Sequence, residues 1–432
     1  MDPSQTRPET IAAQAAGWID ERTRAITPPI HVSSTYLRDA DNQYRSGRVY
    51  ARADNPAFDQ AEAVLCALEG GAQAALFASG MAAATAVFQA LAPGDHVLAP
   101  KVMYWSLRNW LMNFATHWGL QVELIDMTDP AVVQAAIRPG KTKLVWVETP
   151  ANPLWTVTDI AATAAICRAA GAKLAVDSTV GTPVLTQPLV LGADIVVHSA
   201  TKYLGGHGTT MAGMVVESGK FDWGSPLSAP KFPDMLQPSA AYHGVKFYET
   251  FGNFGYTMKA RMEVNRTFGA SLSPLNAWLI LQGIETLHLR MQAHCRNALA
   301  VAQFLQSHPL VSWVNYPGLA ESPHYALAKK QFRAIDGMPG SSGILTFGIR
   351  ADDPVRAGER FIDACEFLSH LANIGDAKTL VIHPASTTHR QLNEEELERA
   401  GVRPDMVRLS VGIEELDDIV WDIDQALRKA VA

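Results

Sequence analysis

Between residues 74 and 217 the chain repeats one unit, a short apolar run ending in a polar residue and followed by a turn or a helical stretch. The runs read AALFAS, DHVLAP, KLVWVET, KLAVDST, DIVVHSA and AGMVVE, and helical patterns separate most of them, one after Ser79 and Gly80 and another through Ile160 to Ala170. Strands that alternate with helices predict an α/β fold with a mainly parallel sheet, because parallel neighbours need a crossover between them. Runs that stay apolar for four or five residues predict strands covered on both faces. Their polar endings, such as Glu148, Asp177 and Ser199, would then meet where open α/β sheets bind ligands, beyond the carboxyl ends of the strands.

The flanks of this unit divide the chain. NPAFDQAEAVLCALEGG supplies a cap at Asn55, proline at the first helical position, an apolar face of Phe58, Ala61, Leu65 and Leu68, and a stop at Gly70 and Gly71. Residues 1–57 before it read as an arm. Residues 218–240 are rich in proline, glycine and serine and predict a long loop; its Phe221, Trp223 and Phe232 suit a lid over a site or a contact with another subunit. After LSPLNAWLILQGIETLHLRM the organisation changes to a helix through Ala298 to Leu305, strands at VSWVNY and ILTFGI, a helix from Pro354, a strand at VRLSVGI and a terminal helix from Glu415. We read 58–285 as the large domain and 286–432 as a smaller α+β domain, a division that 432 residues can support.

Composition narrows the function classes. Hydrophobic residues make up 48 % of the chain, enough for packed cores, and the net charge of −7 comes with no basic stripe for nucleic acid. Cys66, Cys167, Cys295 and Cys365 lie far apart without metal or disulfide spacing and read as reduced core residues. The first twenty residues hold no continuous apolar segment, so the expectation is a cytoplasmic protein without a membrane span.

Within VVHSATKYLGGHGTT, Lys202 sits between small hydroxyl residues and a run of glycines at the end of an expected buried strand. A lone lysine there is usually solvated, but desolvation lowers the pKa of an amine and makes it a nucleophile towards carbonyls, as in a Schiff base with pyridoxal phosphate. Such a cofactor needs an anion cradle. Ser199 and Thr201 flank the lysine, while Ser79, Gly80 and Met81 stand where a strand turns into a helix N-terminus. It also needs an acid beside its ring nitrogen, for which Asp177 is the candidate. Two unit charges about 3 Å apart at an effective dielectric of about 20 attract by about 5 kcal/mol before desolvation. Tyr104 and Trp105 each offer an aromatic face for the ring.

Taken together, YARADNP from Tyr50, SGMAA from Ser79, ETPANP from Glu148, VDST from Asp177, HSATKYLGGHG from His198 and RLSVGIE from Arg408 resemble the Cys/Met-metabolism family of pyridoxal-phosphate enzymes. The resemblance spans about residues 25 to 430 and implies a fold-type I transferase with a seven-stranded sheet in its large domain. It implies that Lys202 holds the cofactor and acts as base and acid. Asp177 then pairs the ring nitrogen, Tyr104 stacks on the ring, Asn152 contacts the phenolic oxygen, and Ser79, Gly80, Met81, Ser199 and Thr201 surround the phosphate. By the same resemblance Tyr50 and Arg52 reach the site of a neighbouring subunit in a homotetramer, and Arg408, Asn373 and Tyr50 bind substrate. The stretches HLANIGDAKTLVIHPASTTHRQL and YHGVKFYETFG are similar to the O-acylhomoserine sulfhydrylases within the family, which implies γ-replacement on an O-acylhomoserine, O-acetyl-L-homoserine first, by sulfide or a small thiol. The alternatives are a cystathionine γ-synthase reaction and a γ-elimination of the methionine γ-lyase kind. In the second a cysteine typically lies near the stacking tyrosine, where this chain has Trp105 and Ser106. Ser178 departs from the asparagine usual at its position.

Overall fold

The computed structural model describes residues 2–3, 5–387, 390, 397 and 401–432, so residues 388–389 and 391–392 of the sulfhydrylase-like stretch lie outside the described residues. All six strands read from the apolar runs form, and a seventh joins them. They are β1 (Gln73–Phe77), β2 (His96–Pro100), β3 (Gln121–Ile125), β4 (Thr142–Glu148), β5 (Lys173–Asp177), β6 (Ile195–His198) and β7 (Gly213–Glu217). The order is β1-β7-β6-β5-β4-β2-β3. β7 runs antiparallel to both its neighbours and the other contacts are parallel. β3 escaped the sequence reading because it is an edge strand: Gln121 and Glu123 interrupt its apolar pattern, and only Ile125 is fully buried.

Both faces of the sheet are covered, which is why the central runs are apolar throughout. One face, with Leu76, Val145, Leu174, Val176, Val196 and Met214, packs on the helices Pro56–Glu69, Ile160–Ala170 and Pro274–Glu285. The other, with Phe77, Trp146, Ala175 and Val197, packs on the helix Gly80–Phe88 and on Leu107 and Tyr256. The helix Pro56–Glu69 begins and ends as its sequence requires. The Asn55 side chain accepts the N–H of Ala57, and Gly70 takes the left-handed conformation, φ +69°, that closes it.

A 21-residue helix, Leu287–Ser307, passes from one core to the next. Its Leu287, Met291 and Cys295 belong to the large-sheet core, while Ala298, Val301 and Leu305 belong to the core of a second sheet. That sheet contains β8 (Val311–Asn315), β11 (Ile344–Ile349), β12 (Ser369–His370), β13 (Leu380–Ile382) and β14 (Met406–Ser410), in the order β12-β13-β14-β11-β8. A hairpin of β9 (Ala334–Ile335) and β10 (Met338–Pro339) stands apart from it. The helices Pro354–Ala364 and Leu416–Val431 close this core through Phe361, Ile419, Ile423 and Leu427.

The 218–240 loop is not a lid. Trp223 and Phe232 are 2 % and 4 % exposed and pack edge to face with Phe221 inside their own chain. Lys173 Nζ, at the start of β5, lies 4.1 Å from the centre of the Trp223 ring and 3.5 Å from that of Tyr256. Lys231 Nζ donates to the carbonyls of Thr142 (2.9 Å) and Ala170 (2.6 Å). These contacts hold the loop at the amino ends of β4 and β5, away from the strand ends that build the site. Of the N-terminal residues read as an arm, Ile11, Ala12 and Ala15 are buried in the large-sheet core, whereas Val32 and Leu37 stand 86 % and 95 % exposed. The four cysteines are free thiols, with Cys167 and Cys295 buried. Among the described residues no helix is long and apolar enough to cross a membrane.

Candidate active site

The carboxyl ends of β1, β2, β4, β5 and β6 open onto one cavity of about 250 Å³, and the second sheet supplies its far wall. β1 leads to Ser79, Gly80 and Met81; β2 to Tyr104; β4 to Glu148 and Asn152; β5 to Asp177; β6 to Ser199, Thr201 and Lys202. Asn373 and Arg408 enter from the C-terminal region, Arg408 on β14.

Local structure explains each placement. After β6 the backbone folds back, with Lys202 N–H donating to the Ser199 carbonyl at 3.0 Å and Gly205 N–H to Ala200 at 2.8 Å, so Lys202 leaves the sheet where β6 ends. The turn closes at Gly206, φ +72°, where a Cβ would fall 2.0 Å from the Arg290 guanidinium. Ser79 caps the helix Gly80–Phe88 by accepting the N–H of Ala82 at 3.1 Å. Gly80 lies so close to Ser199 that an added Cβ would meet its Cβ and Oγ at 2.6 Å. The helix N-terminus and the Ser199–Lys202 turn are therefore packed against each other.

The cavity separates its charges. Burial, and after it the charge of Arg408, lowers the Lys202 amine to about 8. Its Nζ donates to Asn373 Oδ1. Arg408, lowered by burial to about 10, forms no ion pair with a described residue. Its guanidinium donates to Asn152 Oδ1 at 3.3 Å and to the Asn373 carbonyl at 3.4 Å. Burial raises the carboxyl of Asp177 above the ordinary range, against the pull of the Thr179 hydrogen bonds and the His198 charge. Glu148 is pushed up to about 8, first by burial and then by Asp177, opposite it in the β4–β5 register.

These residues fit pyridoxal phosphate. Asp177 is a half-buried acid facing the cavity that forms no ion pair with a described residue, and a protonated ring nitrogen would be the cation it lacks. The N-terminal amides of a nine-residue helix, beside the Ser199 and Thr201 hydroxyls, suit its dianion. Of the two aromatic candidates, Tyr104 lines the cavity and Trp105 does not; the Trp105 ring lies under the Arg108 guanidinium, 5.6 Å away.

Tyr50 and Arg52 stay outside this cavity, stacked on each other at 5.2 Å with Tyr50 45 % exposed. The sequence reading assigned no role to Glu148 or Thr179. Thr179 joins two of the predicted residues, since its N–H donates to Asp177 Oδ1 at 3.0 Å and its hydroxyl accepts the Ser199 N–H at 2.8 Å. The signal for it was its place two residues after a strand-ending aspartate, the spacing of an Asx turn. Ser178, beside it, is fully buried and its hydroxyl has no hydrogen-bond partner among the described residues.

The family model for Cys/Met metabolism PLP-dependent enzymes matches residues 9–428. The chain belongs to that family. It is 42 % identical to the O-acetyl-L-homoserine sulfhydrylase of Leptospira meyeri, over 99 % of this chain and 98 % of that one. It is 40 % identical to the homocysteine synthase of Schizosaccharomyces pombe, over 98 % of each. Among solved structures it is similar to a Campylobacter jejuni protein described as an O-acetylhomoserine (thiol)-lyase, with a TM-score of 0.91 and 34 % identity over 98 % of this chain and 100 % of that one. That structure contains N'-pyridoxyl-lysine-5'-monophosphate. The fold is accordingly that of the family's pyridoxal-phosphate enzymes, and pyridoxal phosphate is this chain's cofactor.

Proposed function

We propose that the protein catalyses γ-replacement on an O-acylhomoserine, O-acetyl-L-homoserine in the first place, with sulfide or a small thiol, giving homocysteine or methionine. The observation that carries this reading is one cavity holding an amine of lowered basicity, a half-buried acid in no ion pair with a described residue, and an arginine in none either. Pyridoxal phosphate, when bound, supplies the electron sink that makes protons at Cα and Cβ of the substrate acidic and lets the γ-acyloxy group leave.

Lys202 moves the protons. With its amine lowered to about 8, an appreciable fraction is unprotonated near neutrality, so Nζ can take the Cα proton and return one later. Arg408 offers a two-pronged donor to the substrate carboxylate, and Asn373, which receives the Lys202 amine and an Arg408 N–H, connects base and clamp. Among the residues lining the cavity, Asp177 would keep the ring nitrogen protonated, Tyr104 would cover the ring, Asn152 would serve the phenolic oxygen, and Ser79, Gly80, Met81, Ser199 and Thr201 would hold the phosphate. Replacement is favoured over elimination by the relatives' names and by the cavity lining, which contains no cysteine among the described residues.

The arm bears on assembly. Exposed Val32, Leu37 and Tyr50 support a homotetramer in which Tyr50 and Arg52 of one subunit complete the phosphate site of its neighbour. The shift of core along Leu287–Ser307 supports the boundary between 58–285 and 286–432; we keep 1–57 as the arm and the cytoplasm as the setting. The reaction is tested by supplying O-acetyl-L-homoserine with sulfide, methanethiol or cysteine in competition, and without any thiol. Homocysteine from sulfide is the expected main product; 2-oxobutanoate formed equally fast without a thiol would make the enzyme a lyase, and cystathionine as the main product a cystathionine γ-synthase.

A further inference from the structure

Glu148 ends β4 and is 5 % exposed, in a position where an acid is costly. No described cation pairs with it, and Asp177 stands opposite it on β5. Its two oxygens are engaged separately. Oε2 accepts the backbone N–H of Tyr104 at 2.7 Å, and Oε1 accepts the backbone N–H of Asn152 at 2.9 Å. Tyr104 comes from the segment after β2 and Asn152 from the turn after β4, so one side chain fastens two loops. Glutamine could not do the same, because it has a single acceptor oxygen and its NH₂ would face one of the two N–H groups. The connection continues, since Asn152 Oδ1 accepts from Arg408 at 3.3 Å.

We propose that Glu148 is a positioning residue, a double acceptor that sets the stacking tyrosine and Asn152 as one unit and, through Asn152, the Arg408 clamp. The proposal rests on the reading of the cavity as a pyridoxal-phosphate site. It accounts for an acid kept where burial and a like charge both oppose ionisation: the N–H groups of Tyr104 and Asn152 pull the other way, and the ionised form is the one that offers an acceptor to each of them.

Full-length Glu148→Gln is compared with the parent by titrating cofactor-free protein with pyridoxal phosphate, following visible absorbance and circular dichroism, with far-ultraviolet circular dichroism as the check on folding. The expected result is a folded variant that still forms a borohydride-stable adduct at Lys202. It should bind the cofactor about tenfold or more weakly, equivalent to about 1.4 kcal/mol, with an altered visible dichroic band and a raised KM for the amino-acid substrate. Glu148→Asp, which keeps both oxygens one methylene short of the two N–H groups, is read in the same way and stands in if the glutamine variant does not fold. A variant that loses thermal stability but keeps the parent's cofactor affinity, dichroic band and KM overturns the proposal and leaves Glu148 a structural residue. A parent that takes up no cofactor overturns the cavity reading and the proposal with it; a parent that does, beside unaltered variants, overturns the proposal alone.

Discussion

Lys202 carries a cost that the fold bears for its chemistry. Its amine falls from an ordinary 10.5 to about 8 on burial, so between those values the unfolded chain binds more protons than the folded one. The penalty is full below about pH 8 and lifts as the pH rises towards 10.5. Lys202→Met should therefore stabilise the cofactor-free protein at pH 7, by at most about 3 kcal/mol, with the gain fading from about pH 8 and nearly gone by about pH 10.5. Urea unfolding of both proteins at the two pH values checks this. At Arg408 the prediction concerns geometry rather than charge. Lysine keeps the charge but loses the planar fork, so Arg408→Lys should raise KM for O-acetylhomoserine about tenfold or more, and steady-state kinetics showing an unchanged KM would remove Arg408 from the substrate site. The residues most legible in the sequence were those whose chemistry shows alone: an amine among hydroxyls at Lys202, an acid ending a strand at Asp177, a helix cap at Ser79. Glu148 was legible as a polar strand ending at the crevice but not in its role, and Thr179 not at all, because their work is hydrogen bonding to backbone groups of other segments, and no periodicity announces that.

The elements hold the site through close backbone approach. At Gly213, the start of β7, an added Cβ would lie 2.1 Å from the Ser79 carbonyl and 2.7 Å from the Ala83 side chain, so β7 can pair with β1 only because that Cβ is missing. Gly213→Ala should push the Ser79 turn and its helix away from β7, costing about 1 to 3 kcal/mol of stability and weakening cofactor uptake; both are read by thermal melting with and without pyridoxal phosphate. A second fastening lies on the opposite face of the sheet. His198 Nε2 and Glu69 Oε1 meet at 2.6 Å, both side chains fully buried, joining the end of the helix Pro56–Glu69 to the strand that leads to Lys202. Glu69→Ala leaves His198 without its partner and should destabilise the protein by about 3 kcal/mol in urea unfolding. Buried strands and capped helices could be read from the sequence because apolar runs, Asn55 and Gly70 mark them. β3, β12 and β13 could not. β3 is a half-exposed edge strand, and the other two, of two and three residues, are too short to show a period. The role of the 218–240 loop was open for a related reason: its aromatics pack on Lys173 and Tyr256, a tertiary contact that local composition does not encode.

At the scale of the molecule, the arm leaves Val32 and Leu37 exposed and Tyr50 and Arg52 turned outside the cavity of their own chain. If they serve a neighbour's site, Arg52→Ala and Lys202→Ala proteins, each inactive alone, should regain activity when refolded together, approaching about a quarter of the parent's in a statistical mixture of dimers. No recovery in a mixture shown to contain hybrid dimers would confine each site to one chain. Everything at this scale depends on Lys202 being the residue that carries the cofactor. The direct measurement is to saturate the protein with pyridoxal phosphate, reduce it with borohydride, digest it and locate the pyridoxyl group by mass spectrometry. The account predicts one modified peptide, with the group on Lys202; a group on any other lysine, or none at saturating cofactor, would contradict it.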